Sequence, residues 1–254
     1  MNTASRLALH FFLLSMFSSE AFAQPSPTHH SMHLFAQLDA TCTALSKDFG
    51  NISSERKQQL RRIAEYIRQT GSEQKSDSKK VVSSKKATVR LTFICTHNSR
   101  RSHIAQLWAK AAAEWYGVKN IETYSGGTET TAFNPRAVAA MRRVGFRMES
   151  DTSSASPQNP HYTVHLSEHC RVEHIFSKRF DDASNPHEHF AAVMVCSHAE
   201  EHCPFVPGAE RRFSLPYNDP KDFDGTPEET SMYDARVREI GRDMLWLMQE
   251  IAKK

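Results

Sequence analysis

The chain has 254 residues, 39% of them hydrophobic and 24% charged, with a formal net charge of +3. That length holds one or two domains with ample material for a core, and the composition is that of an ordinary soluble globular protein. The slight basicity suits an anionic ligand, but no Lys/Arg block or interleaving of aromatic and basic residues is present, so nucleic acid is not an expected partner.

In chain order, residues 1–23 read as a signal peptide. Arg6 gives a thin positive start, LALHFFLLSMF an apolar core, and Ala21-Phe22-Ala23 a small-x-small cleavage site before Gln24. The apolar core is too short to span a membrane. The expectation is therefore a periplasmic or secreted protein with no stable membrane insertion after cleavage, or a cytoplasmic one if the signal does not function. Residues 24–70 form a helical N-terminal extension, in which HLFAQLDATCTALSKDFG and ISSERKQQLRRIAEYIRQT space their apolar residues helically. Leu60, Ile63 and Ile67 share one face of the second helix, and Ser53 or Ser54 can cap it. Residues 71–88, GSEQKSDSKKVVSSKKAT, offer almost nothing to bury and read as a linker.

From 89 to 254 strands alternate with helices. VRLTFIC is a strand, and SHIAQLWAKAAAEWYG is an alanine-rich helix stopped at Gly117. IETYS is a strand closed by Gly126-Gly127, and NPRAVAAMRRVG is a helix with Pro135 at its first position and Gly145 past its end. HYTVHL and VEHIFSK are two strands of a local extension, AAVMVC is a buried strand ending on Cys196, and RRFSLPY is a further strand. The last helix starts with Thr226 as cap, Pro227 next and Glu229 completing a capping box. The pattern predicts an α/β fold, a parallel sheet with helices on both faces, whose ligands sit at the carboxyl ends of the strands.

The chemistry concentrates in CTHNSRRS, Cys95 to Ser102, between a strand and a helix N-terminus. Backbone N–H groups and the helix dipole there favour a bound oxyanion and a Cys95 thiolate. Arg101 can grip two oxygens with its planar fork. Ser102 can hydrogen-bond the sulfur, and Asn98 suits a left-handed turn that aims the amides inward. The bland alternative is a buried cysteine before a solvated basic helix start. Asp219, on the Pro-fixed loop Asn218-Asp219-Pro220, can protonate the oxygen that leaves when a thiolate attacks phosphate or arsenate, although Asp-Pro alone is only a turn.

Five cysteines, an odd number, do not suit a purely structural disulfide framework. Cys196 and Cys203 in CSHAEEHC can act by thiol–disulfide exchange: Cys196 attacks the Cys95 sulfur and Cys203 resolves the bond, provided the helical turn between them rearranges. A permanent disulfide is a second reading. A metal site is a third, since His198 and His202 are four apart, as helix-borne ligands would be.

FICTHNSRRS, YSGGTETTAFNPRAVAAMRRVG, VMVCSHAEEHCP and PYNDPKDFDGTPEE, in this order over about two-thirds of the chain, resemble the low-molecular-weight phosphotyrosine phosphatases. The likeness is closest to their arsenate reductase branch, which is recycled by thioredoxin. The resemblance implies a four-stranded parallel sheet and no cofactor. It also implies catalytic roles for Cys95, Arg101, Asp219, Cys196 and Cys203, and an oxyanion loop of Thr96, His97, Asn98, Ser99, Arg100, Arg101 and Ser102. The implied activity is reduction of arsenate to arsenite with a thioredoxin-like reductant. The alternative is hydrolysis of phosphotyrosine or another phosphate monoester, which needs only Cys95, Arg101 and Asp219. A third class is an oxyanion- or metal-binding protein without turnover.

Three positions depart from the family. His97 stands where glycine is usual, Arg100 where small residues or cysteine are common, and Gln106 where reductases carry an acidic residue near a potassium ion. Among the remaining residues, Cys170 reads as core or incidental, His187 and His189 as surface loop, His103 as solvated, and Trp108, Trp115 and Tyr116 as core packing.

Overall fold

A computed structural model describes residues 34–72, 87–203 and 205–253. The expected signal peptide and most of the expected linker, 73–86, lie outside the described residues.

The apolar run VRLTFIC is strand β1 (Val89–Cys95), buried along nearly its whole length because it lies inside the sheet. It pairs in parallel with β2 (Ile121–Gly127), from Val89 opposite Ile121 to Cys95 opposite Gly127. On its other side it pairs in parallel with the strand Phe190–Met194. The excursion between them contains three antiparallel strands, β3 (Arg147–Ser156), β4 (Asn159–His165) and β5 (Arg171–Ile175). Phe190–Met194 is thus β6, and β7 (Ala209–Ser214) completes a four-stranded parallel sheet of order β2-β1-β6-β7. Since all four strands run the same way, Cys95, Gly127, Val195 and Leu215 arrive at one edge of the sheet.

The helices are α1 (Ala36–Ser46), α2 (Ser54–Ser72), α3 (Arg101–Tyr116), α4 (Pro135–Arg143), α5 (Ser197–His202) and α6 (Glu229–Ala252). Ser53 caps α2 by accepting from Arg56 N at 3.1 Å, and α2 runs two residues past 70, into the expected linker. Gly117, with φ +66°, stops α3. Asn134 caps α4.

The N-terminal helices are built into the same core as the sheet: Leu38, Cys42, Leu60 and Ile63 are buried in one cluster with Leu91 and Trp108. Trp115 Nε1 donates to Asp39 Oδ1 at 3.0 Å. Gly145 (φ +108°) lets α1 approach so closely that a Cβ there would lie 2.4 Å from Leu38 N.

Two local expectations are corrected. The last helix begins at Glu229, not behind a Thr226 cap. The Thr226 hydroxyl instead donates to Phe223 O at 2.9 Å, and Glu229 Oε2 accepts from Gly225 N at 2.7 Å, so the carboxylate closes the preceding turn. Strand β6 ends at Met194, and Cys196 is the N-cap of α5 rather than a strand residue. Strand β3, Ser-rich and polar, takes its ladder from β4, from Arg147 opposite His165 onward.

Helices α3 and α6 touch at Gly241, where a Cβ would lie 2.6 Å from the buried Trp108 ring. Gly241→Ala gains about 1 kcal/mol of helix propensity but overpacks the contact by about 1–3 kcal/mol, so its melting temperature should fall. Gly71→Ala, with only Val89 Cγ2 at 3.8 Å, has no such clash and should melt higher. Thermal unfolding of both variants beside the parent checks this, and equal shifts would contradict the close contact.

Candidate active site

Cys95 ends β1, the next five residues form a loop, and α3 starts at Arg101. Outside partners hold the loop's carbonyls. Thr128 N donates to Cys95 O (3.2 Å), Glu129 N to Thr96 O (2.8 Å) and Asn134 N to Ser99 O (2.8 Å). Ser177 Oγ donates to His97 O at 2.9 Å. With the carbonyls drawn outward, the peptide N–H groups are left facing the other side. The start of α3 has no side-chain cap, so its first amides are free for an anion. Gly127 permits this closeness, since a Cβ there would sit 2.7 Å from both Asn98 N and Thr96 O.

Asn98 is left-handed, φ 44°, and fully buried. Its Oδ1 accepts from Lys178 N at 2.9 Å, which fixes the amide's orientation, and its Nδ2 donates to Ser102 Oγ at 2.8 Å. That bond uses an acceptor pair of the Ser102 hydroxyl. The hydroxyl's own proton is left for the Cys95 sulfur, 3.1 Å away. A donor aimed at the sulfur stabilises its anionic form.

The Arg101 fork reaches Tyr217 O (2.9 Å) and Asp219 Oδ2 (2.6 Å). Its Nε–H is buried with no acceptor. Asp219 Oδ1 also caps the next turn, accepting from Lys221 N at 3.1 Å. Arg100 Nε donates to Tyr233 Oη at 3.0 Å, and its Nη1 lies 3.8 Å from Asp219 Oδ1. Tyr233 in turn donates to Asp224, and burial, with this bond second, pushes its hydroxyl up to about 12. Cys95, His97, Ser99, Arg100, Arg101 and Asp219 line one narrow cleft. His97 stands at the rim, 3.4 Å from Glu129 Oε2.

Cys196 meets this loop directly. Its sulfur is 3.5 Å from Thr96 Oγ1 and accepts from Ala199 N at 3.3 Å as the cap of α5. Cys203 ends the same helix, donates to Phe205 O at 3.4 Å, and has its thiol pushed up by burial. All five cysteines are free thiols. His198 Nδ1 lies 3.2 Å from Thr96 Oγ1 and stacks on His202. Among the described residues no three His, Cys, Asp or Glu side chains are grouped to hold a metal.

Other singled-out residues separate cleanly. Trp108 and Trp115 are core, with Tyr116 packed against it, and His187 and His189 are exposed. Cys170 is half-buried. His103, expected in solvent, is fully buried: its Nδ1 is 3.2 Å from Ser125 Oγ and its ring stacks on Phe133. The correction follows from α3 being covered on nearly every side. Lys178 carried no signal, yet its backbone holds Asn98, and burial pushes its ammonium down to about 8. Gln106 donates to Thr123 O and leaves Oε1 unpartnered, in a cavity also lined by Lys110, Arg171 and Lys178 against the single carboxylate of Glu122. That donor set does not fit a potassium ion.

Residues 90–166 match the family described as low molecular weight phosphotyrosine protein phosphatase. The arsenate reductase of Halalkalibacterium halodurans is 31% identical over 153 residues, covering 59% of this chain and 88% of that one. The chain belongs to this phosphatase family. The arsenate reductase of Bacillus subtilis is 32% identical over 152 residues, 59% of this chain and 87% of that one. Among solved structures, an arsenate reductase in a phosphate-binding state is 17% identical, with a TM-score of 0.42 over 65% of this chain and 99% of that one. A Bacillus subtilis YwlE mutant is 18% identical, with a TM-score of 0.43 over 65% and 100%.

Two predictions follow from this geometry. Ser102→Ala removes one hydrogen bond to the sulfur, about 1–1.5 kcal/mol, so Cys95 alkylation by iodoacetamide at neutral pH should slow roughly tenfold. An unchanged rate would remove Ser102 from the site. His103 is held neutral, its pKa pushed down to about 3 by burial and secondarily by Lys178. A folded value below the unfolded one, about 6.5, gives stability present above 6.5 and lost as pH falls toward 3. Relative to His103→Asn, the parent should lose about 3–5 kcal/mol across that window, read from urea unfolding at stepped pH.

Proposed function

We propose that the protein reduces arsenate to arsenite through a three-cysteine relay. The observation that carries this reading is the placement of the Cys196 sulfur against Thr96 of the oxyanion loop, with Cys203 at the far end of the same short helix. A hydrolytic phosphatase needs neither thiol.

In the first step the Cys95 thiolate attacks arsenic. The loop amides and the unpartnered Arg101 Nε–H hold the oxyanion, and Asp219 protonates the departing oxygen, which leaves as water. Cys196 then attacks the Cys95 sulfur. The S–As bonding pair goes to arsenic, which leaves as arsenite(III), and a Cys95–Cys196 disulfide forms. Cys203 attacks Cys196, returning the Cys95 thiolate and leaving a Cys196–Cys203 disulfide for a thioredoxin-like dithiol to reduce.

The last bond requires α5 to open. Seven helical steps at 1.5 Å separate the two Cα atoms by roughly 10 Å, beyond the ~6.8 Å limit for a disulfide. Should the N-terminal segment direct export, the reductant would be a periplasmic or extracellular dithiol, since a reducing cytoplasm would not supply it.

The second reading, phosphate-monoester hydrolysis, is favoured by the set Cys95, Arg101 and Asp219, which is complete without the relay. Arsenate-dependent oxidation of a thioredoxin-coupled reductant, run beside aryl-phosphate hydrolysis on one preparation, separates the two. Cys203→Ser should release one arsenite per chain and then stop, with Cys95–Cys196 cross-linked. Undiminished cycling would refute the relay, and hydrolysis alone, unaffected by Cys196→Ser, would establish the phosphatase.

A further inference from the structure

We infer that Arg56 of α2, in the N-terminal extension, is a positioning residue for Arg101 and Asp219. This rests on the catalytic roles proposed above for those two residues, and it holds for reduction and hydrolysis alike.

The segment from Leu215 to Asp219 carries both contacts of Arg101, the Tyr217 carbonyl and the Asp219 carboxylate. On its sheet side it is tied by two backbone bonds, Leu215 N to Met194 O (2.9 Å) and Tyr217 N to Val195 O (3.1 Å). Between and at those ties, α2 takes hold of it from the other side. Arg56 Nη2 donates to Pro216 O at 2.5 Å, and its guanidinium lies over the Tyr217 ring, 4.7 Å from the centroid.

Arg56 is fixed from behind as well. Its Nε lies 3.5 Å from Asp243 Oδ2 of α6, the oxygen to which the Tyr217 hydroxyl donates at 3.0 Å. Arg56, Tyr217 and Asp243 therefore close a ring of contacts, with Asp243 and Tyr217 buried and Arg56 nearly so. The other groups that face it are Glu239 and Arg242, which act on Asp243 through space.

A guanidinium suits the position better than other side chains. It gives a donor to a carbonyl, a face to an aromatic ring and a charge to a carboxylate from one planar group. The consequence lies one step away, at Tyr217 O. That carbonyl sets where the Arg101 fork points, and the fork sets where Asp219 holds its second oxygen. A displacement at Pro216 is thus passed to the acid and to the oxyanion donor together, while the Cys95 loop, held by other partners, stays in place.

Hydrolysis of two aryl phosphates by the full-length protein, one with an activated leaving group such as p-nitrophenol and one with phenol, tests this. A misplaced acid is felt most by the poor leaving group. Arg56→Met should lower kcat for phenyl phosphate at least tenfold, and for p-nitrophenyl phosphate by a smaller factor. It should also weaken protection of Cys95 from iodoacetamide by inorganic phosphate. Arg56→Lys, keeping charge and one donor but losing the stacked fork, should fall between. Asp219→Asn is the reference. If it shows no dependence on leaving group, the acid role of Asp219 fails; if it does and folded Arg56→Met matches the parent in both assays, the positioning role fails. Should Arg56→Met not fold, Arg56→Lys and Tyr217→Phe carry the same readouts, and parent-like values in both overturn the inference.

Discussion

The two side-chain hydrogen bonds of Asn98 are the constraint on which the site depends. One reaches Lys178 N in the excursion after β5, and the other reaches Ser102 at the start of α3. A left-handed residue with a short polar side chain can both reverse the chain and satisfy local donors. Here it also decides direction. Its amide nitrogen takes a lone pair of Ser102, which leaves the serine proton for the Cys95 sulfur 3.1 Å away. The environment of the Cys95 sulfur is thus set by a residue that never touches it.

The charges around this loop are arranged unequally. Asp219 lies between two guanidinium groups, 2.6 Å from Arg101 and 3.8 Å from Arg100. Arg100 is drawn off toward Tyr233 and Asp224, so its bulk lies beside the cavity, leaving Arg101 as the arginine that joins acid to loop. Behind the loop, burial keeps His103 neutral and weakens the proton affinity of Lys178. The loop's attraction for anions therefore comes chiefly from backbone amides and Arg101.

Much of this was legible in the residues themselves. The strand–loop–helix frame of Cys95, the Ser102 contact and the left-handed Asn98 each follow from local rules, and local rules are what short motifs encode. The alternation of strands and helices likewise predicts the parallel sheet. What stayed hidden depends on distant partners. His103 reads as solvated until β2 and Phe133 cover it. The polar segment 147–156 carries no strand signal of its own and is a strand because β4 pairs with it. Lys178 has no motif at all, since its part is played by a backbone amide. Arg56 looks like any charge on an amphipathic helix, and only the fold brings it to Pro216.

The relay we propose places opposite demands on neighbouring chain. Helix α5 has to open for Cys203 to reach Cys196, breaking the bonds from Ser214 Oγ to Glu200 and from Arg212 to Glu200 O that tie it to β7. The acid loop leaves that same strand within a few residues, yet Asp219 must keep its position for the next turnover. A loop anchored only to β7 and α5 would move with them. Anchorage from α2 and α6 through Arg56, Tyr217 and Asp243 is independent of α5. On the proposed relay the N-terminal helices belong to the catalytic unit. They would supply the fixed side of a site whose other side rearranges, and they pack into the same core as the sheet rather than beside it.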